Sequence, residues 1–285
     1  MAAKSLGVLV NETVTFGKKH LMALLVGAVV FGFLTQGVSW WFVGSTTGMW
    51  PGGIPGVTEQ MNDASARLQV LMQKAQTGQL SADEQKEMEV LGQQAVANAM
   101  QSVNMMGTWF RAMLPAFGAA FLLSMLIGLL AKSYFVVLAV KGMTDPGAAV
   151  QTTLAKIVPL IGLWLWLFIR TFIWIPIIGV IIAIIIGPRF ILSPLYLLEQ
   201  GKGVMESTST SMRHTSGYWG KIIGNALVVG IVAGICGIIL SKIVTGVLGM
   251  MIGGFVAAMI MQFVAGFMAV FMIILGRTVM QAGAR

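Results

Sequence analysis

The chain has 285 residues, of which 57% are hydrophobic and 10% charged, with a formal net charge of +8 and a mean hydropathy of +0.86. Soluble domains carry about 25% charged residues, so this composition excludes an ordinary water-facing globule. Helices and closed barrels alone satisfy the backbone in lipid, and the short alternating segments of a barrel are missing. The expected fold is therefore all-α and polytopic, with six transmembrane helices.

Residues 1–19 (MAAKSLGVLVNETVTFGKK) form a cytoplasmic or interfacial N-terminal segment, with a short interfacial helix and a disordered start both open. Lys18 and Lys19 precede the first predicted span, 20–43, which ends in Trp40-Trp41-Phe42. Lysines before a span and aromatics after it mark a helix leaving the cytoplasm and stopping at the far headgroups. This run is too long for a signal-peptide core and no A-x-A site follows, so no cleavable leader is expected.

Residues 44–108 are the extensive polar part and read as an extracytoplasmic helical hairpin. Val57, Met61, Ala64, Leu68, Leu71, Met72 and Ala75 follow helical spacing to a Thr77-Gly78 stop. Ser81 and Glu84 then match a capping box, opening a second arm with Met88, Leu91, Ala95, Val96 and Met100 on one face. Met61, Leu68, Leu71, Met88 and Leu91 are candidate partner-docking residues, the alternative being that the two arms pack on each other. Glu59, Asp63, Asp83, Glu84, Glu87 and Glu89 make this segment the acidic part of the chain.

Residues 109–285 read as a five-helix transmembrane bundle. The second span runs from Trp109 to Ala131, and on towards Val140. A turn at 142–147 and a short helix, Ala148–Lys156, follow. Two apolar runs then meet at Trp174-Ile175-Pro176. A run of roughly 40 apolar residues exceeds one span of roughly 20, so the third span, 157–174, and the fourth, 177–198, are predicted to form a tight hairpin. A cytoplasmic loop, 199–221, leads to the fifth span, 222–244, and the sixth, 247–275. With both termini cytoplasmic, Lys18, Lys19, Lys132, Lys141, Lys156, Lys202, Arg213, Lys221, Arg277 and Arg285 lie inside, which satisfies the positive-inside rule.

The basic residues stand in ones and twos at the ends of apolar runs, which suits headgroups and argues against nucleic acid. Arg170 and Arg189 are charges inside the predicted spans, a placement that calls for a functional or structural partner. Arg189 could pair with Glu199 or Glu206, or hold an anionic phosphate through its planar fork. Arg170, Arg189, Lys202, Arg213 and Lys221 are the candidate lipid or headgroup contacts, and Pro176, Pro188, Pro194, Glu199 and Ser211 the structural motif.

No Asp or Glu falls inside a predicted span, which weighs against ion-coupled transport. His20 and His214 are far apart, without partners at metal-ligand spacing. Gly201-Lys202-Gly203 lacks the remainder of a phosphate loop. Met268 and Met272 have the spacing of a thioether pair but no neighbouring Cys or His. Cys236, alone, permits no internal disulfide. The expectation is no enzyme, no cofactor and no metal. Gly230 with Gly234, and Gly249 with Gly253, let helices approach closely, within the chain or between copies in a homo-oligomer.

Pro176, Arg189, Pro194 and Glu199, followed by Gly203, Glu206, Ser211 and Gly217-Tyr218-Trp219, resemble a bacterial membrane-domain family. It includes YciC-like proteins and the membrane domain attached to some glycerophosphodiester phosphodiesterases. The resemblance covers about 148–229 and implies an α-helical membrane domain without catalytic machinery. Ser207 and Thr208-Ser209-Thr210 depart from the pattern. The expected function is a non-catalytic scaffold or accessory subunit of the bacterial inner membrane. It would dock a partner through the outer hairpin and touch anionic headgroups. The alternative is a channel or a lipid or small-solute transporter through 157–275.

Overall fold

A computed structural model describes residues 4–47, 55–172 and 186–283, and all of its regular structure is helical. The chain divides into two compact units, Met1–Gly37 with Leu123–Arg285, and Val38–Leu122.

Among the described residues, Leu21–Thr46, Phe110–Lys141 and Ser216–Ala282 are long and apolar enough to cross a membrane. A fourth is added if Pro146–Ala155 and Ile157–Arg170, bent by 69°, count as one span. Long apolar helices of this kind are compatible with a membrane protein. The sequence predicts six spans, and the difference has three local sources.

The predicted turn at Pro176 and the start of the fourth span lie outside the described residues. The end of that span is not a continuous helix: Gly187–Phe190 is a 3-10 turn, and an α-helix resumes at Ser193–Glu199. Pro188 and Pro194 cannot donate to a helical ladder, so each stands as the second residue of its helical segment, where no donor is needed. The predicted fifth and sixth spans are two arms of one element, described below.

α1 (Leu6–Lys19) is helical and packs against the last helix, with Leu9 only 1% exposed. α2 (Leu21–Thr47) follows after His20, whose Nδ1 is 2.8 Å from the Met143 carbonyl and whose ring stacks on Phe16. α3 (Pro55–Gln76) ends before Gly78, where a φ of +70° favours glycine.

α4 (Ala82–Lys141) has 60 residues, joining the second hairpin arm and the second span into one helix. Between them the sequence offers only the isolated Gly107, which a helix tolerates, and Pro115 is carried inside it. The capping box is present: Glu84 N donates to Ser81 Oγ at 3.3 Å, and Ser81 N to Glu84 Oε2 at 3.0 Å.

α5 (Pro146–Ala155) is capped by Asp145, which accepts from Gly147 N at 3.1 Å and Ala148 N at 3.0 Å. α6 (Ile157–Phe172), α7 (Ser193–Glu199) and α8 (Val204–His214) follow. α9 (Trp219–Gly283) is broken at Gly249, where φ is +74° and ψ 170°. Its arms fold back on each other: Ser241 Oγ reaches the Ala257 carbonyl at 3.5 Å, and a methyl group on Gly253 would stand 2.6 Å from Thr245 Cα.

The core of the larger unit joins α2, α4 and the second arm of α9. Tyr134 OH donates to the Ala23 carbonyl at 2.8 Å, its ring lying where a Gly27 side chain would be. Gly266 similarly admits Phe135, and Gly32 admits the Met259 backbone. Small residues thus bring backbones together where lipid supplies no hydrophobic drive.

Candidate functional site

The residues predicted to matter gather at the elbow formed by Gly187–Phe190, α7 and α8, against α6. Its frame is a set of backbone anchors. Ser211 Oγ donates to the Arg189 carbonyl at 2.6 Å and accepts from Leu192 N at 3.2 Å. Thr215 Oγ1 lies 3.1 Å from the same Arg189 carbonyl. The 3-10 turn leaves these backbone groups outside a regular ladder, and the small hydroxylic residues of α8 satisfy them. Of the tract's hydroxyls, Ser211 and Thr215 do this, while Ser207, Thr208 and Ser209 bond carbonyls of their own helix.

The ion pairs differ from the sequence expectation. Glu199 pairs with Arg277, whose Nη2 is 2.6 Å from Glu199 Oε1 and 2.6 Å from the Val140 carbonyl. Glu206 takes Lys202 at 3.1 Å. Arg189 therefore pairs with neither. Glu199 stands at the end of α7 within reach of α9, and Glu206 is one turn from Lys202 on the same side of α8.

Lys202 is further held by Thr210 Oγ1 at 3.4 Å and lies 5.4 Å from the Tyr196 ring centroid. The Tyr196 hydroxyl also bonds His214 Nδ1. Arg213 and Lys221 are exposed, but the predicted loop 199–221 is largely helical: Arg213 lies in the last turn of α8 and Lys221 in the first turn of α9.

The guanidinium of Arg189 makes no hydrogen bond or ion pair among the described residues, and its Nε is buried. Arg170 is exposed, with its Cζ 5.8 Å from the Phe190 ring centroid. Of the five candidate headgroup contacts, Arg189 and Arg213 belong to the elbow, Lys202 stands between its two α-helices, and Arg170 lies beside it on α6. Pro188, Pro194, Glu199 and Ser211 all belong to it, while Pro176 lies outside the described residues. The signal that sequence reading missed is Arg277, 78 residues from its partner Glu199.

In the unit Val38–Leu122, Arg67 pairs with Glu87 at 2.6 Å and Lys74 with Glu84 at 2.6 Å, across the Gly78 turn. The Lys74 ammonium, then the Ser81 amide, hold the Glu84 carboxyl at about 2, below its ordinary 4.5. Leu71 is buried, and Leu68, Met88 and Leu91 are partly buried. The side chain of Met61 lies outside the described residues. On the two arms, Val70, Met72, Val90, Val96 and Met100 are exposed.

Gly253 packs against Thr245, a methyl group on Gly230 would lie 3.6 Å from Met268 Cε, and Gly249 makes the break. Gly234 has nothing near it. Among the described residues no three His, Cys, Asp or Glu side chains converge as a metal site.

Fold and elbow together define an all-helical chain with apolar helices of membrane-crossing length and a cation-rich elbow beside them. No family profile, no curated protein and no solved structure matches this chain.

Proposed function

We propose that the protein is a non-catalytic, six-span scaffold or accessory subunit of the bacterial inner membrane, with both termini cytoplasmic. Residues 57–106 face the extracytoplasmic side and dock a partner protein, while the elbow and its loop contact anionic headgroups. The relationship to the YciC-like membrane domains belongs to the same reading.

The observation that carries it is the apolar set Val70, Met72, Val90, Val96 and Met100. These side chains are exposed on an otherwise polar pair of helices whose inner stripe is already occupied. Isolated exposed apolar residues are ordinary, but five of them on two otherwise polar arms expose apolar area that a docked partner would cover.

The test is native mass spectrometry of the full-length protein, extracted in mild detergent from its own membranes. A stoichiometric protein partner is expected, and it is lost when Val70→Asp, Val90→Asp and Val96→Asp are combined. A wild-type protein that emerges strictly as a lone monomer overturns the reading.

One observation favours a second reading as a channel or a lipid or small-solute transporter. A groove of about 400 Å³ is lined by Gln36, Ser241, Lys242 and Thr245 together with apolar Ile238 and Met261. They come from α2 and both arms of α9. Reconstituted solute flux that falls on Lys242→Ala would move the reading to that class.

A further inference from the structure

We infer that the elbow holds a phosphate oxyanion, gripped by Arg170 and Arg189 with Trp166 and Ser193 as neutral donors. The assignment rests on the headgroup-contact half of the reading above and narrows it to four residues.

Three buried side-chain polar atoms lack a hydrogen-bond partner among the described residues: Trp166 Nε1, Arg189 Nε and Ser193 Oγ. Buried polar groups are nearly always paired, because an unpaired one forfeits its hydration without return. All three of these atoms can donate, and all come from the elbow or the helix facing it.

Their placement follows from α6. Gly162, Trp166 and Arg170 are four residues apart and share one helical stripe. A methyl group on Gly162 would lie 3.6 Å from Val204 Cγ2, at the start of α8. Arg170, at the other end of the stripe, stands by Phe190. Trp166 sits between these two contacts. Arg189 adjoins Phe190 in the chain, and Ser193, fully buried, opens α7 three residues later.

Charge decides what the donors await. The larger unit contains four carboxylates, and each is engaged: Glu12 by Lys4, Asp145 by the α5 amides, Glu199 by Arg277 and Glu206 by Lys202. None is left for Arg170 or Arg189. Two guanidinium groups and two neutral donors, with no acid among them, call for an acceptor from outside that carries negative charge. Guanidinium forks match the paired oxygens of phosphate. The phosphate can come from a membrane lipid headgroup or from a soluble phosphate ester, and the chemistry of the grip is the same.

The experiment uses the delipidated full-length protein in dodecyl maltoside. It measures binding by native mass spectrometry and thermal shift with phosphatidylglycerol, phosphatidylcholine and inorganic phosphate as probes. Phosphatidylglycerol is expected to give a single retained adduct and to raise the melting temperature, with phosphatidylcholine weaker. Arg170→Gln, at an exposed position that tolerates change, should weaken the adduct about tenfold, the loss of one charge-assisted contact. Arg189→Lys, which keeps the charge and loses the fork, should weaken it as well. Protection by millimolar inorganic phosphate, lost in the same variants, would support the site and identify a soluble source. An adduct unchanged in Arg170→Gln and Arg189→Lys but lost in Arg213→Ala with Lys221→Ala overturns the site while sparing the broader headgroup contact. Failure of the wild type to bind any of the three probes overturns both, and leaves partner docking to its own test.

Discussion

Ser211 spends a single hydroxyl on two backbone groups, donating to the Arg189 carbonyl and accepting from Leu192 N. Both serve a stretch where the helical ladder is interrupted, so nothing local replaces them fully. In Ser211→Ala, Thr215 can still reach the carbonyl, but the buried Leu192 amide is orphaned. An unsatisfied buried amide costs about 1–3 kcal/mol, so the melting temperature in detergent should fall. Amide exchange at Leu192 should accelerate, and an unchanged rate there would show that the bond does not hold the elbow. Arg277 does comparable work at longer range, tying the Val140 carbonyl to Glu199. Arg277→Gln loses a half-exposed ion pair and a charge-assisted bond, together about 1 kcal/mol after allowance for solvent screening. A thermal melt in the same detergent should show about a 2–4 °C drop. The importance of Ser211 and Glu199 could be read from the chain, because each stands near an obvious break. The partner of Glu199 could not, since pairing across 78 residues depends on how α9 returns to the elbow.

Glycine shows how much of an element's role depends on what faces it. Gly230, Gly234, Gly249 and Gly253 all look alike as small residues at four-residue spacing or near it. Only the fold-back of α9 sorts them. A side chain at Gly253 meets the backbone of Thr245 at 2.6 Å and the Val244 carbonyl at 3.0 Å, neither of which can swing aside. Gly253→Ala should therefore destabilise by about 1–3 kcal/mol. Gly234→Ala, with open space around it, should be neutral or gain up to about 1 kcal/mol from helix propensity. Equal melting temperatures for the two variants would contradict the fold-back. The turn between α3 and α4 was more legible, because a capping box is local chemistry and Ser81 with Glu84 states it outright. Its charge makes a pH prediction. Glu84 titrates at about 2 in the folded protein instead of 4.5. The unfolded chain then binds the proton first, so the stabilisation is complete above the ordinary value and is lost as pH falls towards the folded one. Thermal melts of the full-length protein at pH 6 and pH 3 should differ more for wild type than for Glu84→Gln. An identical pH response would mean that the Lys74 and Ser81 contacts do not form in solution.

Hydropathy locates the apolar runs, but it does not decide how helices join. The predicted arm and second span are one helix, α4, because a lone glycine does not stop a helix. Its 60 residues amount to about 90 Å at 1.5 Å per residue, against a hydrocarbon core of about 30 Å. A helix that long must leave the membrane, and its composition says where. Asp83, Glu84, Glu87 and Glu89 crowd its start, whereas Lys132 and Lys141 lie near its end. In the proposed arrangement, positive-inside bias places Lys141 in the cytoplasm and the Ser81 turn on the far side. The elbow loop, with Lys202, Arg213 and Lys221, should share the side of Lys141. This orientation is testable with a cysteine-free background, made by replacing the lone cysteine as Cys236→Ala. Single cysteines are then introduced as Ser81→Cys in the turn and Ser216→Cys in the loop. An impermeant maleimide added to spheroplasts should label the first at once and the second only after permeabilisation. The reverse pattern would put the acidic arm in the cytosol and remove the basis for an extracytoplasmic partner. Labelling of both sites from outside would require an even number of crossings between them in place of the predicted three, and would break the six-span arrangement.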